Sequence, residues 1–216
     1  MKKLVLLVLI LSCLQSYGQG WQTVKLDSAV SFQLPQGYKK AKSDTASSFS
    51  ASTAFGTILI FKANDNPVVT PDIERDKHLT DYYNDYIDRV KSSSASDGKI
   101  LNEKDTLLGE LRVKDFTLQI DTGSGVEMRK FRILHANNAT YAFEFLFEEM
   151  HKEYAAAESD KFFNSIKVNE QVLPADQFTA VNDEKSGTSP YFIGAAILAA
   201  IALIAFLFMR KKKVVS

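Results

Sequence analysis

The chain has 216 residues, 45% of them hydrophobic, and its 26 Lys and Arg balance 26 Asp and Glu for a formal net charge of +0 at pH 7. The balance is uneven along the chain: Lys2, Lys3 and Arg210 to Lys213 lie at two apolar ends that hold no acid, so twenty basic residues face all 26 acids in between, a net charge near −6. That argues against nucleic acid as a partner and against adhesion to anionic lipid, and a lone cysteine, Cys13, excludes a disulfide framework.

At the N-terminus, Lys2 and Lys3 precede an apolar stretch, Leu4 to Leu11, too short to span a bilayer as a helix. Residues 1–18 read as a secretory signal peptide, with Ser16 and Gly18 as the small residues before an expected cleavage between Gly18 and Gln19. A rival reading makes Cys13 a lipidated N-terminus, because Ile10-Leu11-Ser12-Cys13 loosely resembles a bacterial lipobox. Once the signal is removed, no cysteine remains, and the exported part must hold together by burial alone.

Residues 19–168 read as one domain. Thr23 to Asp27 and Val30 to Leu34 alternate as strands around an Asp27-Ser28-Ala29 turn, with Val30, Phe32 and Leu34 on one face. Gly56 to Phe61 is apolar through its second half and suits a central strand covered on both faces. A helix is then predicted over 71–91, with Thr70 as N-cap and Pro71 at the first position. Leu79, Tyr83, Tyr86, Ile87 and Val90 form its buried stripe.

After a loop from Ser92 to Gly98 come three long strands, Ile100 to Leu108, Leu111 to Ile120 and Val126 to His135, the last two joined by the turn Asp121-Thr122-Gly123-Ser124-Gly125. The clearest strand is Tyr141 to Phe147, whose Tyr141, Phe143, Phe145 and Phe147 share one face. Its expected cover is a second helix, His151 to Ser165, offering Tyr154, Ala157, Phe162 and Ile166. Residues 169–190 lose periodicity and are rich in Ser, Gly, Thr and Pro, the composition of a linker.

The uncharged apolar run Tyr191 to Met209 is long enough for a transmembrane helix of about 28 Å. The basic tail, residues 210–216, then stays in the cytoplasm. The expected protein is thus single-pass in the cytoplasmic membrane, with its domain facing the periplasm or cell exterior. A Gram-positive wall anchor is not matched, because Leu173-Pro174-Ala175-Asp176-Gln177 departs from the sorting pattern at its last two positions. Ala195 with Ala199, and Ala196 with Ala200, space small residues for a homodimer through the helix.

Strands, a helix, more antiparallel strands and a closing helix indicate an α+β domain with an antiparallel sheet packed between helices. The opening Val30-Ser31-Phe32-Gln33-Leu34-Pro35-Gln36-Gly37-Tyr38, the strand Tyr141 to Phe147 and the closing Phe162-Phe163-Asn164-Ser165-Ile166-Lys167 together resemble the PsbP-like superfamily over residues 22–168. The resemblance implies an α/β/α sandwich and a role in binding or assembly, as in an extrinsic subunit of the oxygen-evolving complex, small bacterial envelope proteins and a binder of a nuclear transport GTPase. It supplies no catalytic motif, and the C-terminal anchor departs from the usual family layout.

Among chemistry-bearing residues, Leu118 to Ser124 resembles the active-site phrase of aspartic proteases. Such enzymes need two carboxylates sharing a proton, and Asp121 is the one carboxylate that such a phrase supplies here. Glu74, His78 and Asp81 would share one helical face suited to a metal, against the plainer reading of a solvated acidic face. His135 and His151 bracket a hairpin. Arg129, Lys130 and Arg132 are a candidate partner surface, with Lys130 and Arg132 on one face and Arg129 beside Phe131 on the other. No phosphate-cradling glycine loop and no Gly-x-Ser-x-Gly phrase occurs, so no cofactor, metal or catalytic set is expected.

The function expected is a membrane-anchored, non-catalytic envelope module for an unidentified protein partner or small ligand. The competing readings are a hydrolase using Asp121 or the acidic face of helix 71–91, and an accessory subunit recognised through its transmembrane helix.

Overall fold

A computed structural model describes residues 20–66, 68, 70–94 and 98–179. The predicted signal peptide with Cys13, residues 180–190, the transmembrane run and the basic tail lie outside the described residues. Among the described residues, no helix is long and apolar enough to cross a membrane.

Among the described residues, ten strands build two sheets. β1 (Trp21–Lys25), β2 (Val30–Pro35) and β10 (Lys167–Val168) form a small one in the order β1-β2-β10. A seven-stranded antiparallel sheet takes the order β3-β4-β5-β9-β8-β7-β6, from β3 (Lys39–Lys42), β4 (Ala46–Ser52), β5 (Thr57–Asn64), β6 (Lys99–Leu108), β7 (Leu111–Asp121), β8 (Val126–Ala136) and β9 (Ala139–Glu148). Helix α1 (Asp76–Ser92) covers one face, while the small sheet and α2 (Lys152–Ser165) cover the other.

The aromatic face of β9 does what its period-two pattern requires. Tyr141, Phe143, Phe145 and Phe147 enter one core with Phe32 and Leu34 of β2, Phe49 of β4 and Phe162 of α2. On the opposite face, Ala142 joins Leu79, Tyr83, Ile87, Phe116, Phe131 and Ile133 under α1. β5 lies beside β9, and Ile58, Leu59 and Ile60 are all buried, as expected of a strand covered on both faces. Asp27 fastens the first turn: Oδ1 accepts the N–H groups of Ala29 and Val30, and Oδ2 accepts the Tyr141 hydroxyl proton and meets Lys62 Nζ.

Four predicted features are corrected. The first helix begins at Asp76, with Arg75 as an extended N-cap that makes no side-chain cap bond, and not at Pro71. Thr70 instead closes a local turn, its Oγ1 accepting the Asn66 N–H, and the next leg runs extended because Ile73 is buried and exchanges two hydrogen bonds with Thr179. The buried stripe of α1 also includes Tyr82.

The buried stripe of α2 is Ala155, Ser159 and Phe162, continued by Ile166, whereas Tyr154 is 64% exposed and Ala157 is exposed. Small residues at 155 and 159 let the helix settle close to the aromatic strand, which rotates Tyr154 outward. Finally, residues 169–179 are packed against the domain. Their 3₁₀ turn, Pro174–Gln177, buries Gln177 and crosses the end of the large sheet.

Candidate functional site

Each charged group singled out in the sequence has a place in the fold. Asp121 ends β7, and its Oδ1 accepts the Gly123 N–H at 2.8 Å, while Thr122 Oγ1 donates to Gly125 O. The Asp-Thr-Gly phrase is therefore a hairpin turn, with Gly123 at φ +73° in the left-handed region that favours glycine. Glu74 precedes the helix, so the expected one-turn spacing to His78 is lost; the Glu74 N–H instead donates to His78 Nδ1, and Arg75 Nε meets His78 Nε2 at 3.1 Å. Among the described residues, no three His, Cys, Asp or Glu side chains come together in a metal-holding group. His135 and His151 lie at opposite ends of β9, separated by the length of that strand.

The basic trio divides across the sheet as the pleat requires. Arg132 faces α2, forms a two-toothed pair with Asp115 at 2.8 Å for each contact, and lies over the Phe163 ring. Lys130 shares that face and sits 6.0 Å from the Phe147 ring centroid. Arg129 points to the α1 face, with Nε 2.6 Å from Glu127 and Nη1 3.7 Å from Glu144. Every member has an internal partner, and they do not form one surface.

Glu144 is a buried acid that the sequence reading passed over. It stands opposite Phe131 in the β8–β9 ladder, beneath α1, and is only 6% exposed. Burial raises its carboxyl to about 7; Arg129 opposes the rise and Glu127 adds to it. Tyr86 of α1 is buried in the same layer, and its hydroxyl is pushed up by burial and by the Glu144 charge.

At the end of the sheet where β8 turns into β9, the chain's last described segment is strapped down. Gln177 accepts from the Arg112 N–H and donates to Arg112 O and His135 O. Buried His135 places Nδ1 2.8 Å from Gln177 O and Nε2 2.9 Å from Asp65 Oδ2. Both ring nitrogens are therefore engaged, Nδ1 with a backbone carbonyl and Nε2 with a carboxylate.

The opposite end of the sheet carries an exposed aromatic face. Phe55, in the β4–β5 turn, stacks on Tyr154 of α2 with centroids 5.1 Å apart and also meets the His151 ring at 6.0 Å. Glu158 locks the turn to the helix by accepting the N–H groups of Ala54 and Phe55. Met150, next to His151, is 78% exposed. The flanking Glu148, Glu149 and Glu153 are exposed as well, so the apolar face has an acidic rim. An exposed aromatic stack buttressed by a carboxylate is an arrangement suited to binding.

No protein-family model matches the chain, and no curated protein matches its sequence. Its structure is similar to the solution structure of cyanobacterial PsbP (CyanoP) from Synechocystis, with a TM-score of 0.53 and 11% identity over 72% of this chain and 96% of that one. The fold is PsbP-like. Weaker similarities include LpqN of Mycobacterium tuberculosis, a protein involved in cell envelope biogenesis (TM-score 0.42, 11% identity, 74% of this chain and 96% of that one). Another is the Ran-binding protein Mog1p of Saccharomyces cerevisiae (TM-score 0.41, 9% identity, 75% of this chain and 100% of that one). The expected α+β class is present, mostly β-sheet with two helices among the described residues, and one of the expected helical layers is shared with the small sheet β1-β2-β10.

Proposed function

We propose that the protein is a membrane-anchored, extracytoplasmic binding or assembly module of the bacterial cell envelope, with no catalysis of its own. The observation that carries the location is the uncharged run Tyr191 to Met209 closed by Arg210, Lys211, Lys212 and Lys213, paired with the short basic-then-apolar N-terminus. Binding is supported by the rigid aromatic face of Phe55 and Tyr154. The polar candidates for chemistry are occupied in structural roles: Asp121 in its turn, Arg132 with Asp115, and Arg129 with Glu127.

The test is extraction from bacterial membranes. The full chain is expected to resist alkaline carbonate and to be released by detergent, whereas a chain ending at Gly187 is expected in the soluble extracytoplasmic fraction. Full-length protein that carbonate releases overturns the anchor.

A further inference from the structure

Three apolar side chains at one end of the domain are more exposed than folding requires: Phe55 at 39%, Tyr154 at 64% and Met150 at 78%. They are not the ragged tip of a mobile loop. The Phe55 turn is clamped by two hydrogen bonds to Glu158, and its ring is stacked on Tyr154, so the aromatic surface is presented in one arrangement before any partner arrives. Solvent-facing Phe and Tyr fixed in this way, beside an exposed Met, have the composition of interface anchors.

Charge and position narrow the occupant. Glu148, Glu149 and Glu153 rim the face against Lys152, and Glu148 contacts His151 at 3.8 Å. The described chain leaves the domain at the far end, where Thr179 pairs with Ile73 and Asp176 with Asn137, and ten-residue β9 separates the two ends by about 30 Å. Residues 180–190 can bridge at most about 40 Å to the apolar run. On the anchored reading just proposed, on which this inference rests, the chain leaves for the bilayer from the end opposite the aromatic face, and the acids of that face repel anionic lipid.

We propose that this face docks a segment of a partner protein in which an aromatic or aliphatic side chain is flanked by Lys or Arg. The apolar side chain covers the Phe55–Tyr154 stack and Met150, and the cations meet Glu148, Glu149 and Glu153.

The test uses the full chain in nanodiscs of zwitterionic lipid and three labelled twelve-residue peptides as probes. One has a central Phe-Leu pair flanked by lysines; the second replaces each Lys by Glu; the third replaces Phe-Leu by Ser-Ser. Fluorescence anisotropy is expected to give at least tenfold tighter binding of the first peptide than of either control. Tyr154→Ser, and separately Glu149→Lys with Glu153→Lys, should each weaken it at least tenfold, while Leu107→Ser at the other end leaves it unchanged. Equal binding of the Lys and Glu peptides, or affinity unaffected by Tyr154→Ser, overturns the proposal. Self-association of the chain that Tyr154→Ser abolishes also overturns it, since a second copy would then be the occupant. Membrane extraction is scored separately: a carbonate-resistant chain that binds none of the peptides keeps the anchored reading and loses the docking face, and a carbonate-released chain that binds the Lys peptide does the reverse.

Discussion

Arg129 is shared between two acids, with Nε 2.6 Å from Glu127 Oε1 and Nη1 3.7 Å from Glu144 Oε1. The buried acid has the longer contact. Attraction from a guanidinium committed elsewhere does not offset the desolvation of Glu144, so its carboxyl rises from an ordinary 4.5 to about 7.

A pH dependence follows. Between pH 4.5 and about 7 the folded chain holds a proton on Glu144 that the unfolded chain has released, so stability falls as pH rises through that window and levels off above it. Urea unfolding should show a lower midpoint at pH 7.5 than at pH 5. Glu144→Gln should flatten that difference and stabilise the protein at pH 7.5 by up to about 3 kcal/mol. A midpoint that rises from pH 5 to 7.5, or one unaffected by the substitution, contradicts the burial argument.

Asp27 has the opposite sign in a lower window. Burial works against its ionisation, but hydrogen bonds from Lys62, Tyr141, Val30 and Ala29 outweigh it and hold the carboxyl below its ordinary 3.8. The resulting stability is present above that value and is lost as pH falls through the lowered one. Asp27→Asn should reduce acid sensitivity below about pH 4 and weaken the β1–β2 turn at neutral pH by about 1–2 kcal/mol, measured by urea unfolding at both pH values.

Gly56 lies where β5 enters the sheet beneath the aromatic turn. A Cβ there would stand 2.6 Å from both Leu146 O and the Phe145 ring, and the first of these is backbone. Gly56→Ala should destabilise the domain by about 1–3 kcal/mol through overpacking. Unchanged thermal stability would mean that the strand entry shifts freely.

Gln177 ties residues 169–179 to β7 and β8 through three hydrogen bonds. Gln177→Ala should destabilise the domain by about 1–3 kcal/mol and speed hydrogen exchange at the Arg112, Asn137 and Thr179 amides. Exchange that stays slow at all three would show that the segment holds without the side chain.

Much of the architecture was legible because burial imposes a period. Val30-x-Phe32-x-Leu34, the apolar half of β5 and the alternating aromatics of β9 each have a face that fits one cover. The signal fails where pairing, not burial, makes the structure. β3 and β4 are rich in Lys and Ser, and their backbone bonding to β5 supplies what their side chains do not. In helix α2 the large residue at 154 was the expected buried one. The core is already filled by Phe143, Phe145 and Phe162, so Ala155 and Ser159 face inward and Tyr154 goes to the surface. The strap at Gln177 reads as linker by composition, since its bonds depend on a glutamine meeting a strand end that is remote in sequence. Glu144 had a visible signal: it is the one acid within Tyr141 to Phe147, a stretch of β9 whose two faces are both apolar.

The central claim, a domain outside the membrane with its tail inside, is tested most directly by cysteine labelling in intact cells. Leu107→Cys, in a side chain 63% exposed, and Ser216→Cys, at the end of the basic tail, would each be introduced after Cys13→Ser and treated with a membrane-impermeant maleimide in intact spheroplasts. The account predicts labelling at position 107 before lysis and at position 216 only after it; labelling at 216 in intact spheroplasts, or protection of 107 until lysis, would contradict it.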